Sequence, residues 1–305
     1  LRCLRVEDGS LVWEVDTTAR FGVVQNFFGA GSSPVIEEDL LLAMVGGSPP
    51  DSPRIHTGEV DGNGTGLVAF DKRTGEVRWT LSDELASYST PRVVTLGGRR
   101  RGFAFTRGGL LGFDPVRGTR DFFFPWRARK LESVNAATPV VVDDTVFISE
   151  TYGPGGVLLK VPASGDPEVV WRDGRRNRSL ATHWSTPVHH EGHLYGSSGM
   201  GSGDAELRCV DHRTGEVKWS EPGLSRSTLL LVDGHLVVLT EYGRLLLVRP
   251  DPERFRLVGE LELLDAKGRT LLRHPAWNAP ILSHGLLYVR GKDRLVALEL
   301  IPRSP

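Results

Sequence analysis

Apolar and polar residues alternate along most of this chain in short runs, and the runs are broken by clusters of Gly, Asp, Asn, Pro and Thr. Two segments nearly superimpose: LVAFDKRTGEVRW (67–79) and LRCVDHRTGEVKW (207–219). A third, LRCLRVEDGSLVW (1–13), keeps the same Gly-to-Trp spacing, and weaker copies are LLGFDPVRGTRDF (110–122), LLKVPASGDPEVVW (158–171) and LVALEL (295–300). Leu67 and Ala69, then Val77 and Trp79, fall on a period of two, which predicts two short strands. Between them DKRTG is a turn, where Asp71 can bond its own backbone and Gly75 can take positive φ. Each copy therefore predicts a β-hairpin.

Another hairpin precedes each of these. It consists of a small residue, usually Pro, an apolar strand, a polar turn and a second apolar strand. Copies are SSPVIEEDLLLAMV (32–45), STPRVVTLGGRRRGFAF (89–105), ATPVVVDDTVFIS (137–149), STPVHHEGHLYGS (185–197), STLLLVDGHLVVLT (227–240) and NAPILSHGLLYVR (278–290). Successive starts at Pro34, Pro91, Pro139, Pro187, Thr228 and Pro280 lie 57, 48, 48, 41 and 52 residues apart. Two hairpins per period make a four-stranded antiparallel blade, and radial repetition of blades is how a propeller protects its strand edges. The expected fold is all-β: a single β-propeller domain over 1–305, with successive blades over 34–300 and helix nearly absent. Residues 1–15 supply only the second hairpin of a partial blade, and the last unit shows three strands. Six to seven blades are visible. The ends suggest a fragment of an eight-bladed ring, with an irregularly closed seven-bladed ring as the alternative.

Ala69, Asp71, Gly75 and Trp79, like Cys209, Asp211, Gly215 and Trp219, resemble the tryptophan-docking repeat of the pyrroloquinoline-quinone-like propeller family. Within that family the chain resembles the non-enzymatic bacterial type, related to the propeller lipoprotein of outer-membrane assembly. The resemblance implies a periplasmic or otherwise extracytoplasmic protein. Trp13, Trp79, Trp171 and Trp219 are expected to dock between blades, with Phe122 taking that place in one copy.

Composition adds exclusions. Hydrophobic content of 39% and charged content of 25% are ordinary for a globular chain, and 36 Gly with 19 Pro suit many turns. A net charge of −1 offers no field to recruit nucleic acid. No apolar run is long enough to span a membrane. The chain starts at Leu1, already inside a repeat, so any signal segment would precede it. Cys3 and Cys209 occupy matching places in two copies, which predicts buried thiols in different blades. Arg99, Arg100 and Arg101 are expected in a solvated hairpin turn.

In a propeller the first strand of each blade lines the channel, so the loops leading into first strands open on one face. Those loops carry Gln25, Asn26, Phe27, Tyr88, Glu132, Asn135, His183, Trp184, Arg226, His274 and Trp277. Amides, imidazoles, indoles and a carboxylate would suit a polar, flat ligand, whereas the alternative is that they cap strands and pack loops. Asn26, Tyr88, Glu132, Asn135, His183, Trp184, Arg226 and Trp277 are the candidate ligand residues. Asp61 and Asn63 alternate loosely as in a calcium loop, although Lys72 stands where an acid would complete it. His189, His190 and His193 straddle a turn. No catalytic residue is expected.

Two functions compete. One is a non-catalytic extracytoplasmic binding or scaffold protein, without cofactor, whose partner is a protein, a peptide or a polysaccharide. The other is a quinone-dependent dehydrogenase, for which the resemblance implies pyrroloquinoline quinone with calcium, an acidic base and adjacent cysteines. The chain has no adjacent cysteine pair, and Glu132 is the one carboxylate in the core of these loops.

Overall fold

The computed structural model describes residues 1–24, 26–52, 60–130, 133–174 and 176–301. They fall into two compact units, Leu1–Val170 and Trp171–Pro305.

In the first unit, β1 (Arg2–Leu4) and β2 (Leu11–Glu14) form a hairpin, and the one-turn helix α1 (Thr17–Phe21) follows. Next come a sheet of β3 (Val35–Glu37), β4 (Leu40–Met44), β5 (Leu67–Asp71) and β6 (Val77–Leu81), and one of β7 (Arg92–Leu96), β8 (Arg99–Phe105), β9 (Gly109–Asp114) and β10 (Thr119–Pro125). A third contains β11 (Val140–Val142), β12 (Thr145–Glu150), β13 (Gly155–Lys160) and β14 (Glu168–Arg172), the last leading the chain into the second unit. That unit holds β15 (Val188–His190), β16 (His193–Ser198), β17 (Glu206–Asp211) and β18 (Val217–Glu221), then β19 (Ser227–Val232), β20 (His235–Thr240), β21 (Arg244–Val248) and β22 (Leu257–Glu262). A three-stranded sheet of β23 (Ile281–Ser283), β24 (Leu286–Arg290) and β25 (Leu295–Glu299) ends it. Strands pair antiparallel with their chain neighbours, in the order of propeller blades. The chain is an all-β propeller.

Local chemistry explains the meander. The turn between β15 and β16 is Glu191–Gly192, with φ of 46° and 79°, and Asp233–Gly234 repeats it at 47° and 67°. Positive φ at both turn residues gives a hairpin turn whose twist matches the strands. It also pairs His190 with His193 across the ladder, so HHEGH is a strand–turn–strand. The turn between β5 and β6 closes on Asp71, whose Oδ1 accepts the N–H groups of Arg73 and Thr74 at 2.9 and 3.1 Å.

The docking tryptophans join one blade to the next. Trp13 donates its indole N–H to Lys72 O, Trp171 to His212 O and Trp219 to Asp251 O, at 3.1, 2.9 and 2.7 Å. Trp13 is buried and the other three are half-buried. Each glycine that closes a DxxxG turn lies beneath an indole. A Cβ on Gly75 would sit 2.7 Å from Trp13 Cε3, and one on Gly215 would sit 2.8 Å from Trp171 Cδ2. The same glycines have φ of +73° and +75°, so the repeat requires Gly twice over. Apolar cores fill the space between blades. Phe103, Phe105, Leu110 and Phe122 pack on Val146, Ile148, Val157 and Leu159, while Tyr195, Leu207 and Cys209 pack on Leu236, Val238 and Leu246. Both cysteines are free thiols; Cys209 is buried and Cys3 half-buried.

The arginine run corrects one expectation. The turn is Gly97–Gly98, and Arg99–Phe105 is strand β8, in which Arg101 is 2% exposed. Its Nε donates to Asp121 at 3.2 Å and its Nη1 to Pro162 O at 2.6 Å, in the neighbouring blade. Arg99 also reaches Asp121, and Arg100 pairs with the buried Glu37. Two glycines just before the run supply the turn, so the charges lie on a strand and find fixed partners there.

Candidate functional site

The loops leading into first strands gather the candidate residues in two groups, one in each unit. In the first unit Asn26 holds its loop in place. Its amide donates to Ala86 O at 3.1 Å, and its own oxygen accepts the Phe27 N–H. The Tyr88 hydroxyl accepts the Phe28 N–H at 2.8 Å. Asn135 is 1% exposed, and its amide nitrogen reaches three carbonyl oxygens, those of Thr106, Arg107 and Trp126. Its backbone carbonyl accepts the N–H groups of Tyr88 and Ser89. These amides tie loops together. Gln25 and Glu132 lie outside the described residues.

In the second unit His183, Trp184, Arg226 and Trp277 meet, and they meet on a residue that the loops do not contain. Glu241 follows β20, is fully buried, and accepts Arg226 Nη2 at 2.6 Å and Arg226 Nε at 3.1 Å. The Arg226 backbone N–H and the Trp277 indole N–H both add bonds to it at 3.2 Å. Arg226 lies 4.6 Å from the Trp184 ring centre and 5.4 Å from that of Trp277. The two indoles are 4.7 Å apart, and His183 packs on Trp184 at 4.8 Å. The guanidinium thus sits between two π faces and a buried carboxylate, each favouring its charge.

The outer layer is aromatic. Tyr242 stacks on His274 at 4.8 Å with an angle of 27°, and His274 lies edge-on to Trp277. Trp277, Tyr242 and Met200 are 43%, 52% and 45% exposed. Met200 belongs to this group because its carbonyl accepts Arg226 Nη1 at 3.3 Å. Reading the loops alone misses Glu241 and Tyr242. Their signal is a repeat: ISETYG and LTEYG place Glu150 and Glu241 alike at the ends of second strands, Glu150 as the last strand residue and Glu241 just past it, and both are fully buried.

The electrostatics set a pH window. Burial alone would raise the Glu241 carboxyl, but the bonds from Arg226, Trp277 and Ser202 hold it at about 2 against an ordinary 4.5. Burial and then the Arg226 charge push His183 down to about 4 from 6.5. Both folded values are depressed, so the stability each group contributes is present above its unfolded value and is lost as pH falls through its folded one. The second unit should therefore weaken first between pH 6.5 and 4, as His183 resists protonation, and then below 4.5 as Glu241 protonates. Denaturant midpoints across pH 3–8 check this. His183→Gln should flatten the upper limb alone, and an unchanged profile would show that His183 titrates as if exposed.

A family model described as outer membrane protein assembly factor BamB matches residues 1–221. The chain belongs to this family. No curated protein sequence matches it. Among solved structures, BamB from Moraxella catarrhalis is 13% identical with a TM-score of 0.66, covering 96% of this chain and 76% of that one. Quinohemoprotein alcohol dehydrogenase ADHIIG from Pseudomonas putida HK5 is 15% identical with a TM-score of 0.54, covering 86% of this chain and 50% of that one. A europium-containing methanol dehydrogenase gives 12%, 0.56, 88% and 62%. At such identities these likenesses show the shared fold.

This BamB-family propeller thus has both a BamB and quinohemoprotein dehydrogenases among its structural neighbours, and the donor set tests which chemistry the described residues fit. Glu84 accepts Thr106 Oγ1 and the Gly108 N–H, Glu150 accepts Ser133 Oγ and the Gly153 N–H, and Glu241 is filled by Arg226. The Asn63 amide donates to Phe21 O and Ser48 O, and its oxygen accepts Thr65 Oγ1, which turns the weak metal candidate beside Asp61 into a loop staple. Among the described residues no three His, Cys, Asp or Glu stand together as metal ligands. This donor set does not fit a calcium–quinone pair.

Proposed function

We propose that this BamB-family chain is a non-catalytic, extracytoplasmic binding or scaffold protein, and that the Trp277–Tyr242–Met200 surface of its second unit engages a protein partner. The observation that carries the reading is the Arg226–Glu241 pair, locked beneath exposed aromatic rings. Interface centres are rich in Trp, Tyr, Met and Arg and poor in unpaired charge, and their anchors work best when held rigid. Here the rings rest on a buried ion pair, Asp204 accepts the Met200 N–H at 3.2 Å, and Arg273, the residue before His274, pairs with Asp293 at 3.7 Å. A polysaccharide or a peptide remains the competing partner class. The extracytoplasmic placement draws on the family description, an outer-membrane assembly factor. No described helix is long and apolar enough to cross a membrane.

The test uses a photo-crosslinking residue at Met200 to identify the partner, followed by binding measurements with purified components. Tyr242→Ala removes a ring that is 52% exposed. It should leave stability within about 0.5 kcal/mol yet weaken partner binding by roughly 10- to 30-fold, the scale of an interface hot spot. Unchanged affinity would remove this surface from the function. Quinone and calcium added together with a series of primary alcohols as electron donors should give no reduction of an acceptor dye, and alcohol-dependent reduction of the dye would restore the dehydrogenase reading.

A further inference from the structure

The stretch RDGRRNR (172–178) places four arginines in seven residues. In the second unit its described residues form a loop that is pinned at both feet. Asp173 Oδ1 accepts the Ser179 N–H at 2.8 Å and the Ser179 hydroxyl at 2.6 Å, and the Gly174 N–H donates to Asn177 O at 3.2 Å. Arg208 Nη1 donates to the carbonyls of Arg178 and Ser179. Between this loop and the turn joining β17 to β18 is an open cleft of about 420 Å³, lined by Trp171, Arg172, Asn177, Arg178, Thr214 and Val217.

The matching turn of the first unit explains why this cleft keeps positive charge to offer. Arg73 and Arg213 hold the same place in DKRTG and DHRTG. The Lys72 N–H donates to Asp39 O and the His212 N–H to Gly192 O, so Asp39 and Gly192 are equivalent too. Asp39 binds Arg73 at 2.9 Å, whereas glycine at 192 has no carboxylate. Arg213 is therefore exposed, and among the described residues its side chain has no ion pair or hydrogen bond. The same is true of Arg172 and Arg176. The nearby carboxylates are engaged elsewhere. Asp211 Oδ1 accepts the N–H groups of Arg213 and Thr214 at 3.0 and 2.8 Å, Asp173 holds Ser179, and Glu216 lies 3.4 Å from Lys218.

We propose that this cleft binds the phosphate group of a phosphate monoester. Such a group carries close to two negative charges and three acceptor oxygens on one centre, where a carboxylate or a sulfonate carries one charge. The free cations stand on two segments, Arg172 and Arg176 on the loop and Arg213 on the turn. That distribution suits a centre that accepts from several sides better than a planar carboxylate met by a single fork. The rest of the ester lies along the half-buried Trp171 and along Val217, which is 37% exposed. The indole is a fixed wall, bonded to His212 O and resting on Gly215. A loop already closed by its own bonds loses little freedom when the site is filled.

Calorimetric titration with phenyl phosphate at low salt tests the assignment, with benzenesulfonate as the singly charged comparator. Phenyl phosphate should bind at least tenfold more tightly than benzenesulfonate, the scale of one further hydrogen bond between charged groups. Arg172→Gln and Arg213→Gln should each weaken it about tenfold. Both side chains are exposed, so the melting temperature should hold. Arg117→Gln, at an exposed turn position of the first unit, controls for general charge and should leave the affinity unchanged. Sedimentation with phosphatidylcholine vesicles, with and without phosphatidic acid, then separates the sources of the phosphate. Sedimentation that needs phosphatidic acid and is lost in Arg172→Gln assigns a lipid headgroup, and none assigns a soluble ester. Absence of phenyl phosphate binding would overturn the proposal, as would equal binding of benzenesulfonate. So would an affinity that Arg172→Gln and Arg213→Gln leave unchanged, or that Arg117→Gln lowers as much as they do.

Discussion

Replacing Glu241 by alanine should cost the second unit about 3–5 kcal/mol, as expected when one partner of a buried ion pair is removed. Glu241 is fully buried and the Arg226 side chain is 16% exposed, so the substitution strands a guanidinium between two indoles without its counter-charge. The Trp277 N–H loses its acceptor as well. A shift of this size should lower Tm on the order of 10 °C for a unit of this length. Glu241→Gln keeps the shape and one acceptor, and should lose about half as much. The double variant Glu241→Leu with Arg226→Met removes both charges together and should regain most of the loss, since neither group is then left alone. Denaturant unfolding of the four proteins measures all of this. A loss under about 1 kcal/mol for Glu241→Ala would mean that the pair behaves as a screened surface bridge.

Trp13→Ala should destabilise the first unit by about 3–5 kcal/mol, through lost burial and the cavity left behind. Trp13 lies on β2, yet its indole covers Gly75 and bonds to Lys72 O. Trp13→Phe preserves most of the apolar contact and gives up the hydrogen bond, so about 1–2 kcal/mol is expected. The same contact can be broken from beneath. Gly75→Ala puts a Cβ at positive φ, which costs roughly 1–2 kcal/mol, and also drives it into the ring. The two lesions share one contact, so Trp13→Ala combined with Gly75→Ala should cost clearly less than the sum. Strict additivity would show that the ring and the glycine are independent, and the docking account would fail.

The repeat was legible because its two signals are local. The apolar pattern over Leu67–Asp71 and Val77–Leu81 and the DKRTG turn each depend on residues a few positions apart, and the two strands and their turn appear where read, although every residue of Leu67–Asp71 is buried. The arginine run was misread because its partners are remote. Nothing within ten residues of Arg101 announces Asp121 or Pro162 O, while three adjacent charges ordinarily signal solvent. The candidate site divides in the same way. That the loops hold unusual residues was legible, and Trp184, Arg226 and Trp277 do meet. What each residue does depends on partners brought in by other strands. Asn135 reads as a ligand amide until its three carbonyl acceptors are seen, and Arg226 reads as a free cation until Glu241 is.

The indole-over-glycine contact also determines where such a chain can be cut and rejoined. Trp79 ends one sheet, yet the residue that must be glycine beneath its ring, Gly118, is in the next. Exchanging whole sheets between two relatives would separate a tryptophan from the glycine it covers, and a larger side chain at that glycine would be struck by the ring. The cassette that recombination can move intact therefore straddles two sheets, running from one indole through the glycine that receives it. Duplicated in that frame, a copy arrives with its junction already matched, so a lineage of these repeats can lengthen or shorten without redesigning a single contact at the seam.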